Sequence, residues 1–290
     1  MDPIIPLQQH PRFAVALRAL GQRAEMLDLA DGAGHALVVR RRLPLFGDLG
    51  YVPRGPAWAT EDLEVRARAL ANLGRTGVRL LEAESPCRSL RAAGFRMVAT
   101  PAHVAELALA TTPETRRAAF APKWRGHLRQ AERARLLIRD EAFDGDPSHW
   151  LLAREAGMRR ERGYRALPQS VACAFARACP GAARIHSAWE EGEPVAGMLF
   201  LLHPPGATYQ IGWSGERGRA TSAHHLLLAV AADHLAAEGV LRLDLGTLDA
   251  EANPGLARFK IGCGARVRPL GGSWLRLPFA GRLASRHATS

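Results

Sequence analysis

Residues 183–215 read ARIHSAWEEGEPVAGMLFLLHPPGATYQIGWSG and are the clearest indication of the fold in this sequence. Three runs rich in apolar residues are separated by the stretches EEGEP and HPPG. Gly and Pro favour the backbone angles of tight turns, and short apolar runs bounded by such turns are typical of strands. This stretch therefore predicts a meander of three antiparallel strands.

The residues that follow the meander continue an alternating pattern. TSAHHLLLAVAADHLAAEG (221–239) predicts a long apolar helix with Ser222 near its start and Gly239 at its end. VLRLDLGT (240–247) alternates apolar and polar residues, which predicts a strand. RFKIGCGARVRPLGGSWLRL (258–277) predicts a last helical turn and further strands.

The first part of the chain shows a similar order of elements. PRFAVALRALG (11–21) predicts a helix, and the segment from Arg23 to Leu43 predicts a hairpin around DGAG. A strand with a proline-rich loop, a helix and another strand follow. Helix, antiparallel meander, helix, strand, helix, strand is similar to the order of the Gcn5-related N-acetyltransferase (GNAT) fold. We therefore expect an α/β (α+β) protein with tandem GNAT-like domains, 1–113 and 114–290, each a mixed, mainly antiparallel sheet flanked by helices.

Composition limits the class of protein. The 290 residues are 47% hydrophobic and carry a net charge of +11. The basic excess favours a phosphate-bearing partner, namely a nucleic acid, a nucleotide cofactor or an anionic membrane surface, although a generally basic surface explains it too. MDPIIPLQQHPRF lacks the pattern of a signal peptide, and no apolar run approaches the length of a membrane span. We expect a cytoplasmic protein whose membrane contact, if any, is peripheral.

Cysteine and histidine spacings do not predict a metal site. The four cysteines form no CxxC pair, and HExxH, Walker A, GxSxG and strand-linked GxGxxG motifs are missing from the sequence. His224 and His225 are neighbours on a predicted helix, so they point about 100° apart and cannot chelate one metal together. We expect no metal and no tightly bound cofactor.

Four stretches carry a resemblance to a known family, namely LQQHPRFAVALRALG (7–21), YVPRGP (51–56), KWRGHLRQAERARL (123–136) and LDLGTLDAEANPGLARFKIGCGA (243–265). They resemble the FemABX family of peptidoglycan bridge-forming aminoacyltransferases. They occur in the family's order across most of the chain, which is shorter than a typical member. The resemblance implies two GNAT-like domains and an acceptor held between them. It implies that Lys260 of the Phe-Lys motif neutralises charge near the reacting centre.

The resemblance also implies residues that bind an anionic acceptor. Arg125 and Arg129 match the family's basic helix, which meets acceptor phosphates, and Arg54 lies in YVPRGP. Arg18 lies near the position of the family's N-terminal phosphate-binding lysine. Tyr164 is a further candidate, which either contacts substrate or packs in the fold.

Lys260 is also unusual within this chain. Only Lys123 and Lys260 are lysines among 39 basic residues. Retention of lysine favours a need for a compact ammonium rather than a planar guanidinium, although a biased composition could leave two lysines by chance. We favour a functional role for Lys260 and a structural or neutral one for Lys123.

GNAT similarity implies a donor site at the end of the meander. Gly212 or Trp213 of TYQIGWSG would supply a backbone N–H to an oxyanion at a bulge, and ERGRATSAHH would cradle a pyrophosphate. The latter stretch can equally be a polar turn with a serine cap. Asp244 could orient an amine or act as a base, and Tyr209 could protonate a leaving group; both could instead be structural. The candidate residues of the donor loop are Arg217, Gly218, Arg219 and Ser222.

The sequence therefore favours an N-acyltransferase. The donor is either acyl-CoA, which suits the short chain and the helix-capping loop and is slightly preferred, or an aminoacyl-tRNA, which suits the family resemblance and the charge. The acceptor is an amine on an anionic molecule, cell-wall-precursor-like in the second case. A non-catalytic nucleic-acid-binding protein on the same fold is the competing hypothesis, although the aromatic residues do not alternate with cations as in stacking surfaces.

Overall fold

The structure, a computed structural model, describes residues 4–44, 47–163 and 167–277 and contains two mainly antiparallel sheets flanked by helices. Along this described part the strands are β1 (Arg23–Leu29), β2 (Gly34–Leu43), β3 (Gly47–Val52), β4 (Ala57–Trp58), β5 (Val78–Ala83), β6 (Arg96–Ala99), β7 (His103–Ala108), β8 (Leu137–Ala142), β9 (Ala183–Glu190), β10 (Glu193–His203), β11 (Gly206–Ser214), β12 (Arg242–Leu248), β13 (Arg266–Pro269) and β14 (Gly272–Leu275). The helices are α1 (Pro11–Ala19), α2 (Leu63–Arg75), α3 (Ser89–Ala92), α4 (Pro113–Ala118), α5 (Pro122–Arg133), α6 (Trp150–Arg162), α7 (Gln169–Ala178), α8 (Glu216–Ala220), α9 (Ala223–Ala237) and α10 (Pro254–Gly262).

The first sheet has the strand order β1-β2-β3-β5-β14-β6, with β4 paired to β2. The predicted hairpin is confirmed, because β1 and β2 pair from Arg23–Arg40 to Leu29–Gly34. α2 packs its apolar side on this sheet, and Leu70, Val38, Leu81, Phe95 and Trp274 belong to one buried core. Burial of such side chains supplies the main driving force for this unit.

Two of the stretches that carry the family resemblance pack together in this first unit. The buried side chain of Gln9 donates to the carbonyl of Pro53 over 2.5 Å and accepts from the N–H of Leu37 over 2.9 Å. A Cβ at Gly55 would overlap the Gln9 side chain, with its Nε2 2.5 Å away. Glycine at this position therefore lets YVPRGP approach the start of α1.

The second sheet has the strand order β13-β7-β12-β11-β10-β9-β8. β9, β10 and β11 are the three antiparallel strands of the predicted meander, which is confirmed. α9 lies against β9, β10 and β11 as the predicted long apolar helix. Within the described residues, no helix combines the length and the apolar character that a membrane span requires.

The division of the chain differs from the expected boundary between 113 and 114. One compact unit contains Gln8–Ala102 and the chain from Pro269 onward, and the other contains His103–Arg268 with the residues before Gln8. The chain enters the second unit at β7, because β7 pairs with β12, for example at Glu106–Asp244. It returns to the first unit at β14, which pairs with both β5 and β6.

Candidate active site

The second sheet opens between its two parallel strands. β11 and β12 pair from Gly206–Arg242 to Thr208–Asp244, while β11 continues to Ser214 and β12 to Leu248. In the described residues the pairing ends at Thr208–Asp244, so beyond this pair the two strands no longer bond to each other. A bulge follows on β11, because Leu199 pairs with Ile211 and Phe200 with Tyr209. The extra residue is Gln210, earlier than the expected position near Gly212 or Trp213.

Asp244 and Gly246 shape the β12 side of this opening. The Asp244 carboxylate is 3% exposed and its Oδ1 accepts a 2.7 Å hydrogen bond from the N–H of Gly246. Gly246 has a φ of +81°, which a residue with a Cβ rarely adopts. The register of β12 with β7 shifts between Asp244 and Thr247 at the same point. The strand therefore bends where it leaves β11, and the bend fixes the Asp244 carboxylate.

Lys260 brings an ammonium group to this bend. The residue lies in the last turn of α10 and is 6% exposed, and its Nζ donates to the carbonyl of Thr247 over 2.9 Å. A Cβ at Gly246 would lie 3.6 Å from Nζ, an ordinary van der Waals distance, so the positive φ rather than a lack of space accounts for glycine here. Burial lowers the pKa of Lys260 to about 8, against the attraction of the Asp244 charge, which raises it. The two sequence candidates Lys260 and Asp244 therefore act on each other electrostatically.

The contact of α10 with α5 explains the glycines beside Lys260. Trp124 of α5 donates from Nε1 to the carbonyl of Phe259 over 3.1 Å. A Cβ at Gly262 would lie 2.8 Å from Cδ1 of Trp124, and Gly264, with a φ of +82°, packs on Ala119. Two stretches that resemble the FemABX family are therefore in contact, and this contact positions the helix that carries Lys260.

Tyr209 and Gly212 are neighbours on β11. The partly buried Tyr209 ring packs on Phe200 with centroids 5.7 Å apart, and its hydroxyl lies over the Cα of Gly212. Burial, and secondarily the charge of Glu155, raises the pKa of Tyr209 above its ordinary value. Tyr209 is therefore a neutral phenol at physiological pH, and its ring holds the strand just after the bulge.

Trp213 is partly buried and contacts two side chains of α6. Its ring lies 5.9 Å from the Trp150 ring, and the guanidinium of Arg154 lies 5.4 Å above it. Its backbone carbonyl is hydrogen-bonded to Nε2 of His224 at 2.8 Å. His224 therefore joins the start of α9 to the end of β11.

The expected donor loop forms the short helix α8 and the turn into α9. Gly218 packs so closely that a Cβ there would overlap the carbonyl oxygen of Val195 and lie 2.6 Å from Oγ of Ser214. Arg217 forms an ion pair with Glu190, with N–O distances of 2.5 and 2.6 Å, and Arg219 donates to the carbonyl of Ser214 over 2.6 Å. In this structure both arginines therefore hold the loop together.

Ser222 begins α9 in a strained conformation. Its φ of 59° and ψ of 32° are left-handed, which is uncommon for a residue with a side chain and is often found at functional sites. Its Oγ is hydrogen-bonded to Nδ1 of His127 at 3.1 Å and donates to Oε1 of Gln130 over 3.2 Å. α5 therefore fixes the turn at which α9 begins.

Sequence reasoning missed a histidine–aromatic cluster beside this turn. The rings of His127 and His225 stack with centroids 4.7 Å apart, and His225 also meets the edges of Trp124 and Phe259. Burial, and then the neighbouring His127, lowers the pKa of His225 to about 4. His225 is therefore neutral at pH 7. The cluster joins residues about 100 positions apart, so no local sequence pattern predicts it.

The arginines expected to bind an acceptor differ in their contacts. Arg125 donates to the carbonyl of Phe120 over 2.7 Å, and Arg129 lies exposed on α5. In the first unit, Arg18 donates to the carbonyl of Ala24 over 2.7 Å, and the buried Arg54 pairs with Glu84 at 2.8 Å. Arg18, Arg54 and Arg125 therefore have evident structural roles. The expectation for Tyr164 lies outside the described residues.

A family model identifies the class of protein to which this geometry belongs. The model of the acetyltransferase (GNAT) domain matches residues 88–260, more than half of the chain. The chain therefore belongs to the GNAT acetyltransferase domain family, and its two sheets match tandem GNAT-like domains. A search of curated proteins found no match to the sequence.

Solved structures with a similar fold agree with this assignment. FemX is similar over 92% of this chain and 93% of its own, with a TM-score of 0.74 and 14% identity. The C-terminal domain of a proposed lysylphosphatidylglycerol synthetase from Agrobacterium fabrum is similar over 96% and 91%, with a TM-score of 0.57 and 14% identity. L-PGS from Bacillus licheniformis is similar over 90% and 86%, with a TM-score of 0.56 and 16% identity. The fold of the chain is thus similar to that of FemX over almost its whole length.

The pKa of Lys260 leads to a testable pH dependence of stability. The folded chain loses this proton near pH 8 and the unfolded chain near pH 10.5, so between these values the unfolded state binds more protons. Stability therefore rises with pH across this window, by about 3 kcal/mol at most for a shift of this size. Urea unfolding of the wild type and of K260M should be measured from pH 7 to 10.5. The free energy of unfolding of the wild type should rise relative to that of K260M over this range. A difference that does not vary with pH would contradict the buried-ammonium assignment.

Proposed function

We propose that the protein is an N-acyltransferase that transfers an acyl group from acyl-CoA to an amine. The observation that carries the proposal is the opening between β11 and β12 with the buried ammonium of Lys260 at its edge. A GNAT sheet uses such an opening to hold the acyl carbonyl against backbone N–H groups. The positive charge of Lys260 would stand beside the negative charge that develops in the reaction.

The proposed reaction joins the acceptor nitrogen to the acyl carbon. A neutral amine attacks the thioester carbonyl, a C–N bond forms, and the carbonyl oxygen becomes an oxyanion. The C–S bond then breaks, the amide is released, and the proton lost by the amine ends on the CoA thiol. We assign the oxyanion to a backbone N–H that follows the Gln210 bulge, that of Gly212 or Trp213, because consecutive N–H groups of a strand point to opposite edges. Placement of the two reactants supplies much of the rate.

The proposed residues divide between these tasks. Lys260 stabilises the developing negative charge, and Asp244 holds the ammonium and the bent backbone of β12 in place. Tyr209 supports β11, and its neutral phenol is a candidate proton donor to the leaving group. Arg129 is exposed on α5 and is available to an anionic acceptor, unlike Arg125, which holds a backbone carbonyl.

We place the donor pyrophosphate at the turn from α8 into α9. A helix N-terminus attracts anions through its N–H groups and dipole, and α9 is long enough for this effect. Gly218 and the strained Ser222 shape the turn, and Arg217 and Arg219 flank it. To bind the phosphates, Arg217 would first break its surface ion pair with Glu190. The loss costs little free energy because exposed ion pairs are weak.

The donor turn can be tested at Gly218. G218A should weaken CoA binding at least tenfold, because the new Cβ must displace the Val195 carbonyl or the turn itself. Isothermal titration with CoA measures the effect. G157A is the matched control, since a Cβ at that helical glycine meets no atom within 4 Å. Equal CoA affinity in G218A and G157A would contradict the proposal that this turn binds the pyrophosphate.

An aminoacyl-tRNA is the second candidate donor. The net charge of +11 favours a nucleic-acid partner, and the FemX-like fold extends over almost the whole chain. The acceptor would then be an amine of a cell-wall-precursor-like molecule. Both donors place the proposed activity in the cytoplasm.

A single set of assays separates the donors. The full chain is incubated with a panel of amines and either acetyl-CoA or charged tRNA, and thiol release and amide formation are followed by mass spectrometry. CoA release that requires both an amine and Lys260 supports the proposal. Amide formation with charged tRNA but not with acetyl-CoA would show that the donor is an aminoacyl-tRNA. Salt-dependent RNA binding without acyl transfer from either donor would contradict the proposed enzymatic activity and favour a nucleic-acid-binding protein.

A further inference from the structure

Three potential metal ligands meet at the far end of α9 from the donor turn. Asp140 lies on β8, His186 lies opposite it on β9, and His234 lies near the end of α9. The distance from Nδ1 of His234 to Oδ2 of Asp140 is 3.3 Å, and that from Nε2 of His186 to Nδ1 of His234 is also 3.3 Å. Nε2 of His186 lies 3.7 Å from Oδ1 of Asp140. One ligand atom from each side chain therefore faces the same point.

We propose that Asp140, His186 and His234 bind a zinc ion that joins β8, β9 and the end of α9. Zn²⁺ bonds to histidine nitrogen and carboxylate oxygen are about 2.1 Å long, so the ligand atoms of a tetrahedral site stand about 3.4 Å apart. Neighbouring ligands of an octahedral ion would stand about 3.0 Å apart at the same bond length. The two 3.3 Å separations, from Nδ1 of His234 to Oδ2 of Asp140 and to Nε2 of His186, are close to the tetrahedral value.

Hydrogen bonds alone do not account for the arrangement. Nδ1 of His234 either carries a proton, which it can donate to Asp140, or accepts one from Nε2 of His186, so one of its two close contacts has no proton of its own. The 3.7 Å separation of His186 and Asp140 is too long for a hydrogen bond. At least one close approach of polar atoms is therefore left unsatisfied by protons, whereas one cation would satisfy all three.

The charges around the cluster permit a cation. Arg184 binds the Asp140 carboxylate through Nε at 3.1 Å and Nη2 at 2.6 Å, and its Nη1 lies 3.7 Å from Glu238. With neutral histidines, the two carboxylates and one guanidinium give a net charge of −1. A carboxylate has about four acceptor positions, and Arg184 occupies two of them. Arg184 therefore orients Asp140 and leaves positions for a metal.

The accessibility of the cluster suits a bound ion with a route to solvent. His186 is 1% exposed, whereas the side chain of His234 is 48% exposed. The buried ligand is fixed by the sheet, and the exposed one can close over the ion, with water as a fourth ligand. His234 lies twelve residues after Ser222, or about 18 Å along the helix. The site is therefore separate from the proposed acyl-transfer centre.

Spectroscopy with cobalt tests the site without any enzyme assay. The full chain is first treated with chelator and dialysed. Co²⁺ should then give the intense visible d–d bands of tetrahedral coordination, and Zn²⁺ should abolish them and raise Tm. H234A and D140N should each weaken Zn²⁺ binding at least tenfold, the range typical of damaged metal sites. H103A is the matched control, because His103 is also an exposed histidine of this unit.

The outcomes are distinct from those for the acyltransferase. Tetrahedral bands in the wild type and H103A, together with their loss in H234A, support the zinc site whatever donor the protein uses. Weak octahedral bands, or equal Zn²⁺ affinity in the wild type and H234A, would overturn it. CoA affinity should be the same with and without Zn²⁺, since the two sites lie at opposite ends of α9.

Discussion

K260M is expected to be more stable than the wild type at pH 7 and to lose at least a hundredfold in turnover. Burial lowers the pKa of Lys260 to about 8, so at pH 7 the folded state holds a mostly charged ammonium at a free-energy cost of up to about 3 kcal/mol. Methionine removes that cost and about 1 kcal/mol of hydrogen bonding to Thr247. We therefore expect a net gain of about 1–2 kcal/mol in the free energy of unfolding.

The loss of turnover follows from the same charge. A preorganised group that stabilises a developing oxyanion contributes about 10²–10³ in kcat. K260R keeps a positive charge but replaces a compact ammonium with a planar guanidinium, so it should fold and still lose at least tenfold in turnover. If Lys260 served packing alone, K260R would be the less stable variant while K260M kept full activity.

Lys123 provides the matched control. It is exposed at the start of α5 and is the chain's other lysine, so K123M removes the same charge from the same chain. Urea unfolding and steady-state assays of K123M, K260M and K260R complete the comparison. K123M should match the wild type in both. Wild-type turnover in K260M would contradict the proposed role of Lys260.

G212A should lower the free energy of unfolding by about 2–3 kcal/mol and turnover with it. The new Cβ would overlap the Tyr209 hydroxyl and lie 2.8 Å from its Cζ, so either the ring or the strand must move. The strand that moves is the one that carries the Gln210 bulge. The N–H group assigned to the oxyanion would leave its position, which accounts for the expected fall in kcat.

A double variant separates the clash from other effects of G212A. Y209F removes the overlapping hydroxyl, so G212A/Y209F should recover about 1 kcal/mol relative to the sum of the single variants; the remaining contact with Cζ limits the recovery. G255A is the control, because a Cβ at that glycine of α10 meets no atom within 4 Å. Additive losses in the double variant would show that Tyr209 does not restrict this position.

Local sequence signals predicted the parts of the fold that depend on neighbouring residues. The meander of β9, β10 and β11 followed from two turns and three apolar runs, and all of these lie within 33 consecutive residues. Lys260 stood out because lysine is rare in this chain, and the structure places it in a buried position beside Asp244. Neither inference needed information about distant parts of the chain.

Long-range pairing explains what sequence reasoning did not predict. The close approach of Asp140, His186 and His234 depends on the register of β8 with β9 and on the packing of α9. Arg217, a candidate for binding phosphate, forms an ion pair with Glu190 at the end of β9, which the sequence did not indicate. The bulge lies at Gln210 because of the register in which β11 pairs with β10. The spacing of glycines in β11 does not predict that register.

The place of β14 in the first sheet has a consequence for synthesis on the ribosome. Gly272–Leu275 lies between β5 and β6, although about 170 residues separate it from β6 along the chain. All the strands of the second sheet emerge before this segment does. Six of the seven strands of the second sheet, β7 to β12, can therefore pair before β14 is made, whereas the first sheet has a gap between β5 and β6 until then.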